Sequence, residues 1–442
     1  MGVIKNLFQR WWNTDMQELK TNNTEDMFYS EDISLWYDLY NQEQKKKFDG
    51  NSKSLNLPKA IIDEINKATI NEFNFDLVSK NTDLNYIAKF LSKNKSLLAT
   101  HLCIGGAVAI KPYVEGKRVG VVIVPATNFK ADFDSFGELK SCLFKSVITE
   151  GEKVFTLVEN HSYDKNNRVH RIDYSLYKSV SGGLNNVGMG SQVPLSACSE
   201  TAKLDDFVVI EDVDRHLCVV KTLNNTIYQN VGQSAYAGAI SLIYEAYKQF
   251  NRVLWEYEGG ELAIQANAEY FHKTGSSTKK SNYELPAGKD RLYIPMYGAS
   301  NDFSIETFAP QLRDSAYWVG FNNILRRIEF NCGLAYGTLS DANEKEMTAT
   351  EIISSKQRFY ITISTIRDIL KELISEIIEN VATLSSVLNF DLVDKDYTLE
   401  FDIEDGILTT TKEQIEEKLL LVTNGIITVD EFKDWYFKRV SK

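Results

Sequence analysis

Apolar residues recur at Phe359, Ile363, Ile366, Leu370, Leu373, Ile377, Val381, Leu384 and Leu388. Steps of three and four trace one face of a helix of period 3.6. No proline or glycine interrupts residues 348–388, and Thr348 precedes Glu351 at capping-box spacing. The pattern predicts a single helix over 348–388, far longer than the roughly 11–12 residues of an average globular helix. A chain that lays down so long a helix is built more like a structural assembly than a compact enzyme.

The same reading predicts helices near 2–14, 31–48, 58–75 and 82–96. At the N-terminus, Val3, Ile4, Leu7, Phe8, Trp11 and Trp12 share one helical face. That face suits docking on this molecule or a neighbour, with membrane attachment as the competing use. It lacks the continuous apolar core and cleavage site of a signal peptide. From Gly105 the pattern becomes β-rich at Val108–Ile110, Val119–Val124 and Phe155–Val158. The turn cluster Asp164–Asn167 between Val154–Ser162 and Val169–Tyr177 predicts a hairpin. Ser179–Ser199, rich in glycine and small polar residues, reads as a mobile loop.

Helical spacing returns over Ser234–Tyr257. Tyr236, Ile240, Ile243, Tyr244, Tyr247, Leu254 and Trp255 give it a broad apolar and aromatic surface. Ser234 is the expected N-cap, and Gly259-Gly260 ends the helix. Residues 261–304 read as a short mixed insert. Strands near Leu262–Gln265 and Arg291–Ile294 are separated by the basic loop Lys273–Lys280. A third helix is expected over Ile305–Asn331, with Phe308, Leu312, Ala316, Val319, Ile324 and Ile328 at helical spacing. Arg313, Arg326 and Arg327 lie elsewhere on its surface. Gly333–Gly337 ends it, and the polar loop Thr338–Met347 leads into the long helix. A strand at Tyr397–Ile403 and two short helices close the chain. Thr411–Gln414 and Thr428–Glu431 cap those helices, and Asn424-Gly425 ends the first.

Composition narrows the class. At 442 residues the chain needs several subdomains. No apolar run approaches the roughly 18–20 residues of a transmembrane helix. The net charge of −12 argues against gripping DNA by its phosphates, while leaving room for a surface that lets DNA pass. The five cysteines (Cys103, Cys142, Cys198, Cys218, Cys332) are scattered with no C-x-x-C. They read as buried thiols of a reducing compartment. His161 and His170 fall in a strand-like segment and are not expected to bind metal. Neither a phosphate loop nor an H-E-x-x-H motif occurs. Gly188-Met-Gly190 lacks the third glycine of a dinucleotide fingerprint, and Gly232–Tyr236 lacks the last glycine of a nucleophile elbow. Asp402, Glu404 and Asp405 suit either a cation or, more simply, solvation at a strand end. The expectation is a protein that is not an enzyme and has no cofactor and no metal.

Three stretches, in order, carry a resemblance. They are Gly105–Tyr113 with its β-rich continuation, Phe308–Arg313 running to Cys332–Ser340, and Met347–Ile352 opening the long helix. In their order and spacing they resemble the portal proteins of tailed bacteriophages, in the branch found in phages of Gram-positive bacteria. The likeness spans nearly the whole chain and rests on structural signatures, not catalytic residues.

That resemblance implies an α+β portal fold. The wing would be 1–232, the stem helices 233–257 and 305–332, and a small α/β clip 258–304. A tunnel loop would span 333–347, a long wing helix 348–395, and a C-terminal strand and crown helices 396–442. It implies a dodecameric ring at one capsid vertex, assembled in the host cytoplasm and carried in the virion. Double-stranded DNA would be packaged and ejected through the ring. Partners would be the terminase large subunit, head-completion or adaptor proteins, and the major capsid and scaffolding proteins, with no membrane.

In that reading Asp341, Asn343, Glu344, Lys345 and Glu346 face the channel, where acidic groups repel phosphates and let DNA slide. The competing reading is a solvated turn. Tyr236, Tyr244, Tyr247, Trp255, Arg313, Arg326 and Arg327 belong to the stem and its subunit interface. The three arginines face the lumen or pair across subunits. Lys273, Lys279 and Lys280 meet a partner at the clip, or are simply solvated. The alternative function is another virion structural or adaptor protein, a minor head protein or helical scaffold. A nuclease or motor would need clustered carboxylates or a phosphate loop, and no convincing set is present.

Overall fold

The computed structural model describes residues 31–41, 55–71, 73–178, 180–181, 187–188, 190–223, 232–260, 263–267, 293–296, 306–308, 311–341, 349–388, 397–403, 411–424 and 428–440. The N-terminal segment 2–14 and the capping pair Thr348–Glu351 lie outside what is described at side-chain level.

Helices α1 (Glu31–Asn41) and α2 (Leu57–Asn71) open the described chain. The helix expected over 58–75 stops earlier, and Phe73–Ser79 is strand β1. The reason is a change of period. Phe73 and Phe75 are buried while Asn74 and Asp76 are exposed, an alternation of two that only a strand presents to one face. Helix α3 (Thr82–Gly105) runs past the expected end at 96, because Leu98, Ala99, Leu102 and Cys103 continue its buried face. Asn81 caps it, its Oδ1 accepting the N–H groups of Asp83 (2.7 Å) and Leu84 (3.3 Å).

Strands β2 (Ala107–Glu115) and β3 (Arg118–Pro125) follow, then β4 (Phe129–Phe133) and β5 (Leu139–Glu150). The expected hairpin is present as β6 (Lys153–Asp164) and β7 (Val169–Lys178), joined over Asp164–Asn167. Within the span read as a mobile loop, the described residues hold the short strands β8 (Val180–Ser181), β9 (Val187–Gly188) and β10 (Gln192–Val193). Strands β11 (Phe207–Ile210) and β12 (Val219–Thr222) complete this half. One sheet has the order β10-β7-β6-β5-β4, with β11 also paired to β7. A second has the order β12-β2-β3.

The second half holds helix α4 (Ile240–Gly259), strands β13 (Ala263–Asn267), β14 (Tyr293–Met296) and β15 (Glu306–Phe308), and helix α5 (Asp314–Asn331). Next come the long helix α6 (Ala349–Val387), strand β16 (Tyr397–Ile403), and helices α7 (Thr411–Thr423) and α8 (Val429–Val440). Two expectations need correction here. The helix read from Ile305 begins at Asp314, and 306–308 instead pairs antiparallel with β13. Pro310 explains it, since proline blocks a helix interior and pushes the residue before it toward extended backbone. Ser234 is not the N-cap of α4, which starts at Ile240. Its buried hydroxyl donates instead to Cys103 O (3.1 Å).

The core gathers on α6. Ile363, Ile366, Leu370, Leu373, Ile377 and Val381 are all fully buried, joined by Ile374 and Ile378. Their face packs against α2, α3 and the β12-β2-β3 sheet. Arg367, on the same helix, is also buried. Its guanidinium donates to Thr69 O (3.1 Å) and Ala68 O (2.9 Å), so a cation satisfies carbonyls left open at the end of α2. On the sheet side, Lys221 of β12 pairs with Glu372 (3.0 Å) and Glu376 (2.7 Å). Strand β16 pairs with β1 across the helices, Phe75 opposite Phe401. All five cysteines are free and buried, and burial pushes Cys103 and Cys332 up to about 12, so these thiols pack as apolar groups. The capping box at Thr428–Glu431 is formed, with Glu431 N–H donating to Thr428 Oγ1 (3.2 Å) and Thr428 N–H to Glu431 Oε2 (2.7 Å).

Because Leu370 is wholly enclosed, Leu370→Ala removes packed volume with no route to solvent. The expected loss is about 3 kcal/mol of unfolding free energy. Chemical denaturation followed by far-UV circular dichroism measures it, and a loss under ~1 kcal/mol would show that α6 is not the centre of the core.

Candidate assembly interface

Helices α4 and α5 lie side by side and antiparallel. Asn331 donates to Gly238 O (3.1 Å), Gln249 to Tyr317 O (3.3 Å), and Arg313 meets Glu256 at the opposite end. The pair closes around Phe250, Trp318 and Phe321, whose rings lie 5.6–6.4 Å apart in tilted and edge-on contacts. At the entry to α4, a Cβ on Gly232 would come within 1.8 Å of Gly106 O. Only glycine lets the chain pass this close to the end of α3 before α4 begins.

The arginine–glutamate junction is bidentate. Arg313 Nε donates to Glu256 Oε1 (3.1 Å) and Nη2 to Oε2 (2.9 Å), while the Arg313 N–H adds a bond to Oε1 (3.0 Å). The Arg313 hydrogen bonds hold the Glu256 carboxyl below the usual carboxylate range. Arg313 therefore pairs within its own chain, tying the last turn of α4 to the first of α5. Arg326 is half-buried and Arg327 exposed on the next turns.

The aromatic residues read as interface divide into two sets. Tyr236 is fully buried, its hydroxyl donating to Trp36 O, and Tyr247 is buried in the same core. Both are core residues of the single chain, which corrects the expectation that they face a neighbour. Tyr244 is half-buried. Trp255, by contrast, is 65% exposed. Sequence spacing alone could not separate these, since a helix with two apolar faces looks the same whether the second face meets its own chain or another.

On α5 the exposed apolar residues form a line. Ala316, Val319 and Phe330 face outward, Val319 at 62% and Phe330 at 48%, and Leu312, just before the helix, is 44% exposed. Steps of three and eleven put the three helical residues on one side. With Trp255 and Tyr257 (40%) on α4, whose hydroxyl accepts from Trp318 Nε1 (2.9 Å), they form a partly exposed apolar strip, of which Phe330 lies under the Arg358 guanidinium of α6 (4.6 Å to the ring centre).

Beyond α5 the chain is held tightly. Gly333, at φ +68°, terminates the helix in a Schellman motif: Leu334 N–H donates to Glu329 O (2.9 Å) and Gly333 N–H to Phe330 O (3.3 Å). The buried Glu329 carboxylate then organises the following turn. Its Oε1 accepts the N–H groups of Leu339 (2.6 Å) and Ser340 (2.8 Å); its Oε2 accepts Gly337 N–H (3.3 Å) and the Ser340 hydroxyl (2.9 Å). Ser355 of α6 accepts Tyr336 N–H (2.6 Å), and Asn322 accepts Asp341 N–H (2.8 Å). The loop expected over 333–347 is thus packed as far as exposed Asp341. Asn343, Glu344, Lys345 and Glu346 lie outside the described residues, as do Lys273, Lys279 and Lys280. Asp402 lies on β16, and Glu404 and Asp405 are outside the described residues. Sequence reading missed Glu329. Its only signal was an acid at a buried helical position just before a glycine-bearing turn, which has no motif.

No protein-family model matches the chain, and no curated protein matches it. Solved structures similar to it include "Neck of native GTA particle computed with C12 symmetry", at 11% identity and a TM-score of 0.40 over 90% of this chain and 92% of that one. Another is "Virion of native gene transfer agent (GTA) particle", at 11% identity and 0.39, over 90% of each. At that identity and TM-score neither bears on function. Among the described residues no helix is long and apolar enough to cross a membrane.

Glu329→Ala would strand the donors of Gly337, Leu339 and Ser340 in the interior. The expected cost is about 3 kcal/mol, read by denaturant melts, with faster amide exchange over 337–341. Unchanged exchange there would mean the turn holds its own shape.

Proposed function

We propose that this chain is the subunit of a portal ring, a conduit for double-stranded DNA at one vertex of a tailed-phage-type capsid. The observation that carries the reading is the antiparallel α4–α5 pair. It bears the β13–β15 sheet in the connection between its two helices, leaves an apolar strip along α5, and leads through residues 332–348 into the long α6. A closed ring would supply the strip with its missing partner, since each subunit would set one side against its neighbour's other side. The order of the three resembling stretches supports the same reading.

The mechanism proposed is passive. A chain of net charge −12 gives little counterion release on meeting phosphate, so DNA is confined without being gripped. Asp341 and the residues 342–346 beyond it are assigned to the channel wall. The rigid turn built on Glu329 would act as their base. The insert between the stem helices, with Lys273, Lys279 and Lys280, is assigned to contact with the terminase and later with head-completion proteins. No catalytic step is assigned to the chain.

Electron microscopy of the purified full chain is the direct test, and rings with a central channel are expected. Uniform monomers that stay monomeric with capsid and scaffolding proteins added would favour an adaptor or minor head protein instead. Val319→Glu and Trp255→Ala should each weaken the ring while changing monomer stability within about 0.5 kcal/mol, since both side chains are exposed in the single chain. Equal loss of ring and fold would place those residues in the core. Deleting 342–346 should leave rings intact and impair DNA packaging or retention. Loss of ring formation on that deletion would refute the channel assignment.

A further inference from the structure

Three side chains with metal-ligating atoms meet in the interior between the two sheets, far apart in sequence. Strand register brings the first two together. His161 pairs with Ile172 and His170 with Tyr163, so the two histidines sit diagonally on one face of the β6–β7 hairpin. The segment between β11 and β12 crosses that face and delivers Cys218. Helix α6 holds the crossing in place, Asn380 donating to His216 O (3.1 Å) and Leu217 O (2.8 Å). As a result His161 Nδ1 lies 3.2 Å from His170 Nε2 and 3.3 Å from Cys218 Sγ, and the three atoms all fall within 4.8 Å of one another. Their residues are 2%, 0% and 3% exposed.

The surroundings prepare these atoms as ligands. His161 Nε2 faces Glu159 Oε2 at 3.5 Å, and Glu159 Oε1 is paired with Lys111. A carboxylate on Nε2 keeps the proton there and turns the Nδ1 lone pair inward. That single lone pair then has two claimants, His170 Nε2 and Cys218 Sγ, and one hydrogen-bond acceptor cannot serve both well. A cation at their centre would use all three lone pairs at once. Zinc, with Zn–N of about 2.0–2.1 Å and Zn–S of about 2.3 Å, sets tetrahedral ligand–ligand edges of roughly 3.3–3.7 Å. Two of the three edges, 3.2 and 3.3 Å, are close to that, and the third, His170 Nε2 to Cys218 Sγ, lies within 4.8 Å and closes on binding. His216 is a brace, with Nδ1 accepting Cys218 N–H (3.1 Å) and Nε2 facing His161 O (3.4 Å). The long contact from Leu217 N–H to His170 Nδ1 (3.5 Å) is the one that metal binding through Nε2 would give up.

We propose that His161, His170 and Cys218 form a buried three-ligand site for a zinc-class divalent cation, its fourth position left to a non-protein ligand, with Glu159 orienting His161. Cys218 enters as the thiolate, and its proton leaves to solvent on binding. The site clamps the hairpin sheet to the segment that α6 holds, so the metal's role is stability. It is independent of the function proposed above.

The test uses the purified full chain. Elemental analysis should find about one zinc per chain. After chelation, titration with Co²⁺ should produce the near-ultraviolet thiolate-to-cobalt charge-transfer band, and the apo protein should melt lower than the reloaded one. Cys218→Ser and His170→Gln should each abolish the band, whereas Cys198→Ser, a buried thiol in a separate cluster, should retain it. Zinc-free protein that gives no cobalt band on loading, or a band that survives Cys218→Ser, would overturn the proposal and leave a metal-free chain of hydrogen-bonded imidazoles. If Cys218→Ser does not fold, the wild-type zinc content and cobalt spectrum decide alone.

Discussion

The structure depends on the burial of one face of α6. A helix spanning Ala349–Val387 cannot be stable as an isolated rod with a continuous apolar stripe in water. It becomes stable because α2, α3 and the β12-β2-β3 sheet cover that stripe together. Each fully buried leucine or isoleucine contributes roughly 1.5–3 kcal/mol relative to exposure. The stripe sits within the main core cluster of the described residues, and it joins the N-terminal half to the C-terminal half.

Polar groups set the angles at which these pieces meet. Arg367 reaches from α6 to the open carbonyls of α2, Asn380 holds the segment before β12, and Lys221 answers with ion pairs from the sheet side. Such bonds add little net free energy individually. Left unmade in the interior they cost more, so they select one packing over its near alternatives. Glu329 acts in the same way on a smaller scale, fixing the turn between α5 and α6.

The α4–α5 pair shows the opposite economy. One side is closed by Phe250, Trp318 and Phe321 and locked by Arg313–Glu256, while the other leaves Leu312, Val319 and Trp255 exposed. Burial against a second copy would recover the free energy the single chain leaves unused, which is why assembly is the function that the geometry supports best.

Sequence by itself determined the elements whose signal is local and periodic. The stripe of α6 was legible because every buried position repeats at 3.6 residues, and the β6–β7 hairpin because its turn residues lie between alternating strands. The capping box at Thr428–Glu431 was legible for the same reason, its partners being three residues apart. What tertiary structure alone decided was which of two competing surfaces each residue meets. Tyr236 and Trp255 occupy one apolar helix pattern, yet the first is sealed under Trp36 and the second faces water. The alternation at Phe73 and Phe75 becomes a strand where β16, more than three hundred residues later, offers the hydrogen bonds. His161, His170 and Cys218 share no spacing that marks them. Their meeting follows from strand register and from a helix that pins a distant segment across the sheet, and neither is written in the distance between residues along the chain.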